Sequence, residues 1–107
     1  MIYLPLRTVN GLNSREHWAV RARRAKKERG EVGLFVRRWN LAPPCTVTLT
    51  RLSTAQMDGD GLQAALKHVR DGVADAIGVD DADPRITWQY RQEKAKRGHH
   101  GVRIEAA

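Results

Sequence analysis

The sequence predicts an α+β fold: a two-layer domain in the order β-α-β-α-β-β, a small mixed sheet packed by two helices. Three observations predict it. Two long segments repeat apolar residues at steps of three and four, the helical period. Short β-branched or aromatic stretches alternate with period two, as strands do. Pro and Gly cluster at the ends of these segments, as at Pro43-Pro44, Gly59, Gly61 and Gly78. At 107 residues the chain is expected to form one domain, 1–107, with a modest core that needs no staples.

Ile2 to Leu6 reads as a short strand ending near Pro5, and Thr8 to Asn13 as a polar loop around Asn10-Gly11. Asn13 can cap the next helix, with Glu16 at the capping-box position. From there Trp18, Ala22, Ala25, Val32, Val36 and Trp39 make one helical face. Gly30 and Gly33 weaken its middle, so one kinked helix or two are both open. Ala42-Pro43-Pro44 ends the helical region. Thr46-Val47-Thr48-Leu49-Thr50 alternates as a strand. Leu62, Leu66, Val69, Val73 and Ile77 form the cleanest amphipathic stripe, stopped by Gly78 as a C-terminal cap. Ile86, Trp88 and Tyr90 alternate as a third strand. Val102 and Ile104 mark the fourth, across a basic loop from Lys94 to Gly101 that reads as a hairpin tip.

Charge is the most uneven property of the chain. All seven aspartates lie between Asp58 and Asp83. Residues 1–57 carry 11 Lys and Arg against 3 Glu, a net of +8; residues 58–84 carry 2 against 7, a net of −5; residues 85–107 carry 6 against 2, a net of +4. A carboxylate cluster between two cationic arms suits a metal-dependent enzyme that acts on a polyanion. The overall +7 and pI near 10.3 point to nucleic acid before any anionic membrane surface. No apolar run reaches the ~20 residues of a membrane span, and the N-terminal apolar stretch lacks a signal peptide's charged lead. A single cysteine, Cys45, permits no internal disulfide and reads as a small hydrophobe; a reducing cytoplasm is the expected compartment.

The chemistry-bearing residues follow from that distribution. Asp58 and Asp60 are two apart, so their carboxylates share a side if the chain stays extended there. Asp80 and Asp81 lie beyond the far end of a helix ~25 Å long. The two acidic groups therefore meet within one subunit only if the loop after Gly78 folds back, or else across a dimer. Such carboxylates suit Mg²⁺ or Mn²⁺. Each aspartate also has a plainer reading as a turn or capping residue, and Asp71, Asp75 and Asp83 are assigned those roles: two on the exposed part of the helix, one in a turn before Pro84. A calcium loop is excluded, because positions 5, 6 and 12 counted from Asp58 are Leu62, Gln63 and Val69. Seven cations between Arg15 and Arg29, against two glutamates, exceed what solubility requires and point to phosphate contacts. Arg91, Lys94, Lys96, Arg97, His99 and His100 form a second basic group. Trp18, Trp39 and Trp88 fall on apolar stripes and are expected in the core.

Asp58-x-Asp60-x-Leu62, then Lys67-x-x-x-Asp71, then Gly78-Val79-Asp80-Asp81, resembles the signature of the RusA-type Holliday-junction resolvases, common in phages and prophages. The specific part is residues 57–86, and the strand, Asn-bearing loop and basic helix before it fit more loosely. The resemblance implies a small homodimeric endonuclease that uses Mg²⁺ or Mn²⁺ to nick four-way DNA junctions symmetrically. It implies Asp58, Asp60 and Asp81 as essential aspartates and metal ligands, with Asp80 beside them. The family's Asn falls on Gly61. Its Lys falls on Ala64 counted from Asp60, whereas Lys67 takes that place counted back from Asp71; the two positions share a helix face.

The expected function is therefore a Mg²⁺-dependent, structure-selective endonuclease acting on branched DNA, with Lys67 stabilising charge at the scissile phosphate and no small-molecule cofactor. Arg21, Arg24, Lys27, Lys94, Lys96 and Arg97 would hold the DNA backbone. Gly61 and Ala64 motivate an alternative, a nucleic-acid-binding protein of this type with weak or no activity. A third reading is a phage protein-interaction module that docks through the basic helix.

Overall fold

The computed structural model describes residues 1–6, 8 and 18–107. It forms the predicted two layers: two helices packed on one face of a four-stranded mixed sheet. The elements are β1 (Ile2–Leu4), α1 (Trp18–Val36) with a 3₁₀ turn (Arg37–Trp39), β2 (Cys45–Ser53), α2 (Gly59–Ile77), β3 (Ile86–Lys94) and β4 (Gly101–Ala106). The predicted order holds. The expected Asn13 cap, Glu16 and Arg15 lie outside the described residues.

The sheet runs β1-β4-β2-β3. β2 is central, parallel to β3 (Cys45 beside Ile86 through Ser53 beside Lys94) and antiparallel to β4 (Leu49 beside Ile104). β1 pairs antiparallel with β4, Ile2 beside Ile104. The hairpin expected between β3 and β4 is not formed. The segment between them passes the end of β2, where Ala95 N–H donates to the Ser53 carbonyl at 2.9 Å, and β4 then pairs on the other side of β2. That crossing gives the central, mostly buried β2 a paired neighbour on both edges.

Alternation along β2 and β3 aims Val47, Leu49, Trp88 and Tyr90 at the helices, where they meet Val102 and Ile104. α2 covers this face with Leu62, Leu66, Val69 and Val73, all buried. Its ends follow local rules: Asp58 is the N-cap, and Gly78 adopts a left-handed φ of 85° whose N–H returns to the Ala74 carbonyl at 2.9 Å.

α1 is one helix through Gly30 and Gly33, and Gly33 is buried. Its core contacts are Val32 and Val36. Its expected stripe extends too far: Trp18 is 73% exposed and Ala22 is also exposed. Trp39 and Trp88 are half-buried against the core. The two helices touch where Gly72 meets the backbone of Arg29 and the side chain of Val32, an approach that a β-carbon would block. A bidentate Arg29–Asp75 pair closes the same seam, with Nη2 2.8 Å from Oδ1. It holds the Asp75 carboxyl below the usual range.

Candidate functional site

Connectivity gathers the charged groups. β1, β2 and β3 run in one direction and each helix returns against it, so both helix N-termini lie at the carboxyl ends of these strands. The acidic start of α2, the beginning of basic α1 and the loop after Lys94 share that end of the domain, where open α/β sheets commonly take ligands. Arg24 sits close enough to His68 of α2 to oppose its protonation, though burial is the main cause of that imidazole's lowered pKa.

Asp58 and Asp60 are not side by side on an extended strand. Asp58 has extended φ and ψ, but the helix starts at Gly59, so Asp60 is already in its first turn. Asp58 Oδ1 accepts from the Gly61 N–H at 2.7 Å. The plainer reading, a cap, thus describes part of what Asp58 does, and Asp60 complements the helix dipole. Both are exposed.

The connector that delivers these aspartates is clamped by two strand side chains. Gln92 takes the Met57 N–H on its carbonyl at 2.8 Å and donates its amide to the Met57 carbonyl at 2.7 Å. Arg51, 7% exposed, donates Nη1 to the Ala55 carbonyl at 2.8 Å and Nε to Thr8 Oγ1 at 3.1 Å. Burial lowers the Arg51 pKa. Arg51 and Gln92 are neighbours in register, each extending its strand's helix-facing series: Val47, Leu49, then 51; Trp88, Tyr90, then 92. A polar residue in an apolar parity slot was the signal available to sequence reasoning.

The loop after Gly78 does fold back along α2. Asp81 lies against Arg70, with Arg70 Nε 3.1 Å from Asp81 Oδ2 and Nη2 donating to the Asp81 carbonyl at 2.8 Å. The Nε contact is an ion pair and not an aligned hydrogen bond. Trp88 Nε1 donates to the same carbonyl at 3.0 Å, Arg70 Nη1 donates to Tyr90 Oη at 2.9 Å, and the guanidinium lies 4.7 Å from the Trp88 ring centroid. These groups border a cleft of about 320 Å³ lined by Gln63, Ala64, Lys67, Arg70, Asp81 and Tyr90. Ala64 and Lys67 thus face the same space as Asp81. Lys67 is largely exposed, 3.8 Å from Asp71. Arg70, at the wall of the cleft, is not among the residues expected from the sequence.

The remaining aspartates divide differently from expectation. Asp71 is not on the exposed part of the helix; its side chain is only 15% exposed. Together with Asp75, Asp80 and Asp81 it borders a second cavity, of about 280 Å³, beside Arg29. Asp80 Oδ1 accepts from the Ala82 N–H at 2.8 Å, a turn contact. Asp83 pairs with Arg85 and also takes its N–H, which holds the Asp83 carboxyl down to about 2.

The carboxylates at the mouth suit a hard divalent cation, since Mg²⁺ takes one or two of them and completes its shell with water and phosphate oxygens. Among the described residues no three His, Cys, Asp or Glu converge into a closed ligand set. Residues 60 and 70 are about 15 Å apart along the axis of α2. The Asp58/Asp60 and Asp81 groups therefore stand at two stations of one helix.

Of the basic residues, Lys27, Lys94, Lys96 and Arg97 are exposed and Arg21 and Arg24 half-buried. Lys94 ends β3 and is not a loop residue. Tyr3 Oη donates to the His100 carbonyl at 3.1 Å, tying the basic loop to β1. No helix among the described residues is long and apolar enough to cross a membrane.

No protein-family model matches the chain. An uncharacterised protein of Xylella fastidiosa (strain Temecula1) is similar to it, 33% identical in an alignment 78 residues long that covers 64% of this chain and 51% of that protein. The chain thus spans about half the length of this relative.

Proposed function

We propose that the chain is a RusA-like, Mg²⁺- or Mn²⁺-dependent endonuclease that nicks branched DNA, four-way junctions above all, as a homodimer in the cytoplasm. The observation that carries this reading is the cleft in which Ala64, Lys67 and Asp81 meet, because the lysine and the third aspartate of the motif need a common space. Further support comes from the gathering of Asp58, Asp60, Arg21, Arg24 and the Lys96–Arg97 loop at one end of the sheet. Asp58 and Asp60 stand apart from Asp81 and Asp80 along α2, so the two groups would share a cation only across the dimer; when bound it supplies an activated water and neutralises charge on a phosphate. Lys67 meets the charge that develops on the scissile phosphate. Arg21, Arg24, Lys27, Lys94, Lys96 and Arg97 hold the backbone of the junction and orient it. A second protomer would bring the complementary half of a symmetric site.

A labelled synthetic four-way junction incubated with Mg²⁺ tests the reading. Paired symmetric nicks that vanish in Asp60→Asn and Asp81→Asn are expected. Absence of cleavage at every Mg²⁺ and Mn²⁺ concentration, with binding retained, overturns it in favour of a second reading: a non-cutting binder of branched DNA. One observation favours that alternative, the pairing of Asp81 with Arg70 in a cleft that has alanine where the motif has lysine.

A further inference from the structure

Arg70 has no role in the reading above, yet it is the most thoroughly held cation in the cleft. Its guanidinium contacts the Asp81 carboxylate at 3.1 Å, and three further anchors do not depend on that carboxylate: the Asp81 carbonyl at 2.8 Å, Tyr90 Oη at 2.9 Å and the Trp88 ring at 4.7 Å. Trp88 fixes the same carbonyl from its other side. The arginine therefore stays in place whether or not Asp81 turns its carboxylate elsewhere. It is a fixed positive charge beside the third aspartate, one-quarter exposed at the cleft wall.

We propose that Arg70 is the resident counter-cation of Asp81, a positioning residue that weakens the cleft's hold on a divalent cation until a phosphate arrives to offset it. This rests on the reading of Asp81 as a metal ligand. A guanidinium in contact with a carboxylate satisfies part of its charge and repels a dication placed on the same group. Each terminal nitrogen of Arg70 donates one hydrogen bond to the protein and carries a second N–H. A phosphodiester entering beside Lys67 can take those donors, so Arg70 serves the anion once a cation takes over the Asp81 carboxylate. Cation and nucleic-acid phosphate are then expected to bind together more tightly than either binds alone.

Mn²⁺ binding to the intact chain, followed by the electron paramagnetic resonance of free Mn²⁺ without DNA, tests this apart from cleavage. Arg70→Gln should bind Mn²⁺ at least 10-fold more tightly than the unsubstituted chain, and Arg70→Lys should stay near it. Tyr90→Phe, which frees one anchor and keeps the charge, should tighten binding a few-fold and serves if Arg70→Gln fails to fold. Asp81→Asn should erase the gain in either background. Unchanged Mn²⁺ affinity in Arg70→Gln and Tyr90→Phe, while Asp81→Asn alone weakens binding, overturns the role of Arg70 and leaves the endonuclease reading intact. No effect of Asp81→Asn in any background overturns Asp81 as a ligand, and with it both proposals.

Discussion

Gln92 closes a two-hydrogen-bond ring on the backbone of Met57, 2.8 Å to its N–H and 2.7 Å to its carbonyl. One amide on the edge strand thereby fixes the last residue before the acidic cap of α2. Replacing it with Ala leaves both Met57 groups without their partner in a half-buried setting, at a cost of about 1–2 kcal/mol. Urea unfolding should show the loss, and the Met57 amide should exchange faster with solvent.

Asp58 carries two roles that substitution can separate. Asp58→Asn keeps a capping oxygen for Gly61 and should change stability little, whereas Asp58→Ala should cost about 1 kcal/mol. If Asp58 is also a ligand, both variants lose Mg²⁺-dependent cleavage equally. Thermal melts beside cleavage assays read the two roles independently.

Gly72→Ala should destabilise the domain by about 1–3 kcal/mol, although alanine is the better helix former. Its β-carbon would stand 2.6 Å from the Arg29 carbonyl oxygen and 2.8 Å from the Val32 β-carbon, so the helices must separate. Gly30→Ala is the control, since nothing lies within 4 Å there, and it should stabilise by about 0.4–1 kcal/mol. Paired denaturation curves decide.

Lys67→Ala should lower the cleavage rate about 10²-fold, in the range for losing one donor to a developing negative charge. Adding Ala64→Lys in that background should recover much of it, because both positions border one cleft. Single-turnover rates on a four-way junction measure the recovery.

Acid should unfold the chain through carboxylates held low by arginine. Asp83 titrates near 2, kept down by its hydrogen bonds to Arg85, below its value in the unfolded chain. Its stabilising contribution is therefore present above about pH 4 and lost as pH falls towards 2. Asp75 and Glu93, lowered by Arg29 and Arg103, act in the same direction. Melting temperatures between pH 7 and 2 should fall for the parent chain and fall less steeply for Asp83→Asn.

The element order was legible because each stretch is locally self-consistent. α2 shows it best, with its stripe, its Asp58 cap and Gly78 all agreeing. The order of strands was not legible. Nothing in Ile86–Tyr90 or Val102–Ile104 says which side of β2 each will take, and the basic loop mimics a hairpin tip. Trp18 reads as core by spacing but is 73% exposed, since the buried residues of α1 begin only at Glu28, a tertiary fact with no local trace. The aspartate roles were half legible: Asp58-x-Asp60 stands out in the sequence, but capping replaces the extended spacing. Arg70 leaves no signal in the sequence because it sits at the margin of the α2 stripe, where a long polar side chain usually just reaches solvent.

The placement of β1 bears on how the protein is made. Among the described residues, Ile2–Leu4 pairs with Val102–Ile104, about 100 residues later in the chain. At a synthesis rate of roughly 5–20 residues per second, the first strand waits about 5–20 s for its partner to be translated, and then longer for it to clear the ribosome. The central strand β2 meanwhile has one edge covered by β3 and the other open until β4 appears. The nascent chain thus holds a βαβ half with an unpaired edge on β2, and the first strand can order only after β4 has been made.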